Sequence, residues 1–138
     1  MFWNRFKKPK TPEPPRATTT DVQFKNVAPM ASGKVQTSER QCPADCWETV
    51  ERCITEMLEG DAEFVTLTLA EISSNVRYVQ SCLNDDGIYI ELGVEEGGHT
   101  RLISKYCAEE ECFDIFEEFF REGTVSDRSG YSPTEFFV

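Results

Sequence analysis

Four segments with strand chemistry follow one another between Phe64 and Tyr106, separated only by short clusters of turn-forming residues. No other feature of the chain limits its fold as much. The segments are Phe64-Val65-Thr66-Leu67-Thr68-Leu69, Val76 to Leu83, Ile88 to Val94 and His99 to Tyr106, each rich in β-branched and aromatic residues. Ser73-Ser74-Asn75, Asn84-Asp85-Asp86-Gly87 and Glu95-Glu96-Gly97-Gly98 lie between them, and such clusters favour tight reversals. A parallel pair needs a crossover of about a dozen residues or more, so connections this short join antiparallel neighbours. The spacing predicts a four-stranded antiparallel meander.

Helical periodicity flanks this region. Cys46, Trp47, Val50, Cys53, Ile54, Met57 and Leu58 recur at the spacing of one helix face. Asp45 and Glu48 resemble a capping box at its start, and Gly60 suits its end. A second helix is expected from about Ala108 to Glu122, with Glu109, Glu110 and Glu111 at the positive end of its dipole and Cys112, Phe113, Phe116, Phe119 and Phe120 as its apolar stripe. The fold class expected is α+β in two layers: the meander, with an N-terminal and a C-terminal helix packed on one face.

Residues 1–40 hold five prolines, a Thr18-Thr19-Thr20 run and few spaced apolar positions, so they read as a disordered basic tail. Residues 41–123 form the expected domain and 124–138 an irregular C-terminal tail. Charge divides along the same line. Residues 1–40 carry eight Lys/Arg against three Asp/Glu, and residues 41–138 carry six against twenty-two, a net of +5 and −16. A negative field of that size repels nucleic-acid phosphates and favours encounters with basic surfaces. The chain opens Met1-Phe2-Trp3-Asn4-Arg5-Phe6-Lys7-Lys8, a mix capable of weak membrane contact through residues 1–10. A signal-peptide core of about 7–15 apolar residues does not follow, so the expectation is a cytoplasmic protein.

The central hairpin fixes which side chains share a sheet face. A loop of two or four residues across Asn84-Asp85-Asp86-Gly87 puts Val79 and Leu83 on the core side with Ile88, Ile90, Leu92 and Val94. Tyr78, Gln80 and Cys82 then share the opposite face with Tyr89, Glu91 and Gly93. Two tyrosines, an amide and a carboxylate there have the composition of a partner-binding patch, and Tyr78, Gln80, Tyr89 and Glu91 are its candidate residues. The face of the last strand stays open, with Leu102 and Tyr106 on one side and Ile103 on the other.

The pairs Cys42/Cys46 and Cys107/Cys112 fit zinc spacing loosely, but Cys46 and Cys112 belong to helix stripes and neither pair has the glycine of a zinc knuckle. The six cysteines read as mostly reduced thiols, with a disulfide at Cys42 or Cys107 as the lesser alternative, and no metal or other cofactor is expected. His99 is the single histidine; it lies beside Gly97-Gly98, away from any Ser or Cys with the context of an activated nucleophile. No enzymatic role is expected.

The order helix, four strands, helix, with Tyr78-Val79-Gln80 leading through Asp86-Gly87 into Ile88-Tyr89-Ile90-Glu91 and an aromatic terminal helix, resembles small bacterial immunity proteins. The resemblance covers about residues 46–123. It implies a toxin-neutralising inhibitor that covers the active site of a basic toxin. The expectation is therefore a non-enzymatic protein-binding domain with a basic protein partner, with a secretion chaperone or adaptor, or a membrane-tethered accessory protein, as alternatives.

Overall fold

The computed structural model of the chain describes residues 33–71 and 73–134. Among them the order is β1 (Gly33–Thr37), β2 (Gln41–Pro43), α1 (Trp47–Leu58), β3 (Phe64–Leu69), β4 (Val76–Asn84), β5 (Gly87–Glu96), β6 (His99–Cys107), α2 (Glu109–Glu122) and β7 (Ser132–Pro133). The strands form one sheet of seven in the order β2-β1-β3-β4-β5-β6-β7, each neighbouring pair antiparallel. The four-stranded meander bounded by an N-terminal and a C-terminal helix is thus incorrect. The four expected segments lie in the middle of a wider sheet, a hairpin precedes α1 and pairs through β1 with β3, and β7 follows α2 and pairs with β6.

The additional strands leave little trace in the sequence. In β1 only Val35 and Thr37 are buried, between exposed Lys34 and Gln36, so its apolar alternation reduces to one valine. Thr37 is satisfied locally, its Oγ1 accepting the Glu39 and Arg40 N–H groups at 3.0 and 3.1 Å. These bonds close the turn into β2. β2 and β7 span three and two residues, too few to express a period. β1 falls inside the stretch read as tail; residues 1–32, including the proposed membrane-contact segment, and Phe136 and Phe137 lie outside the described residues.

Helix α1 buries Val50, Cys53, Ile54 and Met57, the i, i+3, i+4, i+7 stripe expected of a half-buried helix. Its N-cap is Cys46, extended and without a side-chain cap bond, so Asp45 precedes the capping position and Cys46 lies off the stripe, exposed. In α2 the buried residues are Cys112, Ile115, Phe116 and Phe119. Gly123 ends it at φ 75°, donating to the Phe119 carbonyl at 2.9 Å. The loop before β4 reaches this end: Ser73 and Ser74 hydroxyls donate to the Glu122 and Gly123 carbonyls at 2.8 Å.

The helices touch through Trp47 and Phe120, ring centroids 6.0 Å apart. α1 lies over β1, β3 and β4, and α2 over β3, β4 and β5. Between helices and sheet, Val35, Val65, Leu67, Val79, Ile90 and Leu92 meet Ile54, Met57, Phe116 and Phe119. Truncating a buried Phe such as Phe116 to Ala costs about 3–5 kcal/mol in such cores.

Two local devices set the register of the sheet's outer face. Arg77 is an extra residue in β4: Val76 pairs with Val94, whereas Tyr78 pairs with Gly93. This bulge shifts the phase so that Val76 and Val79 are both buried. Between β5 and β6, Gly97 and Gly98 form a two-residue loop with φ 56° and 88°, the both-positive combination of a type I′ hairpin turn.

Candidate functional site: the outer face of the sheet

Strand register decides what the face turned away from the helices carries. In β4 and β5, Val79 pairs with Leu92, Ser81 with Ile90 and Leu83 with Ile88, whereas Tyr78 pairs with Gly93, Gln80 with Glu91 and Cys82 with Tyr89. Val79, Ser81, Ile90 and Leu92 are buried, which identifies their side as the core. Tyr78, Gln80, Tyr89 and Glu91 therefore lie together on the outer face. Leu83 sits on the core side but at the hairpin end, where it stays 47% exposed.

The neighbouring strands extend the patch. Thr66 of β3 pairs with Gln80, and Ser104 and Tyr106 of β6 pair with Glu91 and Tyr89. Leu102 pairs with Gly93 and shares this face; Ile103 packs against the core. Sequence reasoning missed Thr66, Ser104 and Tyr106. The Gly97-Gly98 loop carried the signal: two residues across that turn pair Glu96 with His99, and counting back places Leu102, Ser104 and Tyr106 outward.

Hydrogen bonds hold the face in one arrangement. Thr66 Oγ1 donates to Gln80 Oε1 at 2.7 Å, which turns the amide nitrogen of Gln80 the other way. Tyr89 OH and Thr134 Oγ1 both donate to Ser104 Oγ at 2.8 Å, and Asn84 Nδ2 donates to Tyr106 OH at 3.0 Å. The Tyr89 and Tyr106 rings meet edge to face, 5.3 Å between centroids, in the geometry that aromatic quadrupoles favour. At the centre, Glu91 is only 8% exposed. Burial pushes its carboxyl above the usual value, against the pull of a hydrogen bond from the Tyr78 hydroxyl. Tyr78 and Cys82 are each pushed up by burial first and then by the Glu91 charge.

Acidity is concentrated elsewhere. Glu48, Glu51 and Glu56 lie on α1, and Glu109 to Glu111, Asp114, Glu117, Glu118 and Glu122 on α2. On the outer face of β3 to β6 the charged groups are Glu91, Glu95 and, at the bulge, Arg77, which bridges Glu95 at 2.9 Å. Polar uncharged and aromatic side chains make up the rest, a surface able to bind by contact area and hydrogen bonding.

One of the two cysteine pairs read from spacing is kept and the other is replaced. Cys42 neighbours Cys53 and Cys107 neighbours Cys112, whereas Cys46 lies at the start of α1 with Sγ 3.4 Å from Thr49 Oγ1. Cys42 and Cys107 are on β2 and β6, five steps apart in the sheet, roughly 24 Å at the usual strand spacing. The two sequence pairs are not brought together. Among the described residues no group of three or more His, Cys, Asp or Glu is placed to hold a metal ion. His99 opens β6, exposed, opposite Glu96. A cleft of about 180 Å³ lined by Lys105, Glu111, Asp114 and Glu118 is smaller than the roughly 300 Å³ at which small-molecule sites begin. Among the described residues no helix is long and apolar enough to cross a membrane.

No protein-family model, curated protein or solved structure matches the chain.

Proposed function

We propose that this chain is a non-enzymatic protein-binding domain that meets a basic protein partner on the outer face of its sheet, around Tyr78, Gln80, Tyr89 and Glu91. The observation that carries this reading is the segregation of charge from contact area. Interface centres are depleted in charged groups and enriched in aromatic ones, which is the composition of the outer face. The acids on α1 and α2 supply a long-range negative field that raises the encounter rate with a basic partner. Its most concrete form is an immunity-type inhibitor that occludes a basic toxin in the bacterial cytoplasm, where free thiols rest in the reduced state.

Affinity capture with the full chain and with Gln80→Arg and Tyr106→Ala variants tests the reading. The expected partner is basic, is held at low salt, is released as salt screens the field, and is lost from both variants while their unfolding temperatures stay near that of the parent. Capture of acidic or neutral proteins only, salt-insensitive binding, or binding indifferent to both variants would overturn it. A stable homodimer holding a partly unfolded client would instead favour the chaperone or adaptor reading.

A further inference from the structure

Arg40 joins the end of the β1–β2 turn to α1. Its Nη2 holds Glu56 Oε2 at 2.7 Å, and its Nη1 donates to Cys42 Sγ at 3.5 Å. Glu56 lies one turn after Cys53 on α1, so the same guanidinium that grips α1 brings Cys42 beside Cys53. Register agrees: Cys42 pairs with Val35 on the core side of β1, and α1 packs over β1. Cys42 packs against the core cluster to which Cys53 belongs, and each thiol is the largest influence on the ionisation of the other. Their exposures differ. Cys53 is fully buried, while Cys42, on the edge strand, is half-buried.

We propose that Cys42 and Cys53 form a thiol–disulfide exchange site whose substrate is a low-molecular-weight disulfide, with Cys42 as the attacking sulfur and Cys53 as the resolving one. The Cys42 thiolate attacks one sulfur of the donor, the donor's S–S bond breaks, and one donor thiolate leaves and takes a proton from water. Cys53 then gives up its proton to solvent, and its sulfur attacks Cys42 and expels the second donor thiolate, which is protonated in turn. Two thiols of the protein are oxidised by two electrons to one disulfide, and the donor is reduced to two thiols. The product staples the edge strand β2 to α1.

Reactivity follows thiolate character and access, and sensor thiols commonly sit beside a resolving cysteine. The neighbouring Cys53 thiol brings the Cys42 thiol down to about 6, helped by the Arg40 charge and opposed by burial and by Glu56. Cys53 is driven the other way, by the Cys42 thiol beside it and by burial. A proton thus stays on the inner sulfur while the outer one ionises. Cys107 and Cys112 pair similarly, but Arg40 donates directly to Cys42 Sγ as well as to Glu56, whereas among the described residues the bonds of Lys105 go to Glu111 and the Tyr131 ring.

The full reduced chain, incubated with graded ratios of oxidised to reduced glutathione, alkylated and digested, provides the test. The expected result is a peptide pair joined through Cys42 and Cys53. In Cys53→Ser, glutathione should remain on Cys42 as a stable mixed disulfide. Alkylation of Cys42 should hold its rate until the pH falls below about 6, whereas an ordinary thiol loses about tenfold per pH unit below about 8.5; Arg40→Gln should move that fall to higher pH. Cys42 and Cys53 both left free in excess oxidised glutathione, or Cys42 joined to Cys46 instead, would overturn the proposal in the parent chain itself, whether or not the variants fold.

Discussion

Tyr78 lies across Gly93, its register partner on β5, so closely that a β-carbon at Gly93 would fall 2.3 Å from Tyr78 Cε2. The absence of a side chain at position 93 lets the aromatic ring rest on the strand and reach Glu91. Gly93→Ala should therefore displace the ring and cost about 1–3 kcal/mol, the usual range for overpacking. Urea unfolding of Gly93→Ala, Tyr78→Ala and the double variant would measure this. The double variant should be less destabilised than the sum of the singles, because the clash exists only when both side chains are present.

Glu91 couples this face to pH. Burial raises its folded-state value above the ordinary 4.5, so above that point the folded chain holds its proton more tightly than the unfolded chain does. The associated stability is complete below 4.5 and is lost as pH rises through the raised folded value. Glu91→Gln carries no such dependence. It should melt at a higher temperature than the parent at about pH 7, with the gap closing as pH falls toward about 4. Melting curves across that range decide the point, and an unchanged gap would mean that the carboxylate is better solvated than its 8% exposure implies.

These relationships show which parts of the molecule are legible in its sequence. Strands β3 to β6 can be read because each alternates over six residues or more between turn clusters, and the two-residue loop at Asp85-Asp86 fixes the phase that brings Tyr78, Gln80, Tyr89 and Glu91 together. The width of the sheet cannot be read. β1 has one apolar contact residue in a polar, proline-containing context, and β2 and β7 are too short to alternate. The bulge at Arg77 is equally hidden, since only the burial of both Val76 and Val79 reveals the change of phase. Cysteine spacing misleads for a related reason: Cys42 meets Cys53 through the packing of α1 on β1, a relation that no local motif records.

Lys105 offers a further test on the core side of the sheet. It pairs with Ile90 across β5 and β6, is 16% exposed in its side chain, donates to Glu111 at 2.5 Å, and lies 4.8 Å from the Tyr131 ring centroid. Removing Glu111 alone leaves a largely buried ammonium without its carboxylate. Glu111 itself is 45% exposed, so Glu111→Gln should cost about 1–2 kcal/mol, between a surface pair and a buried one. Glu111→Gln combined with Lys105→Met should recover part of that loss in urea unfolding, because the orphaned charge is gone.

Separating the acidic helices from the outer face makes the two halves of the proposed binding mode independently testable. Long-range fields act mainly on association, whereas close contacts act mainly on dissociation. Glu51→Gln, Glu110→Gln and Glu122→Gln together remove charge from exposed helix positions without touching the sheet. Against the captured basic partner, this triple variant should associate about tenfold more slowly at low salt with little change in dissociation rate, and the deficit should shrink at high salt. Gln80→Arg should do the reverse, leaving association nearly intact and speeding dissociation by placing a charge beside Thr66 and Glu91 in the contact area. If both variants changed the same rate constant by similar factors, charge and contact would belong to a single surface, and the partner would be binding the helices instead of the sheet.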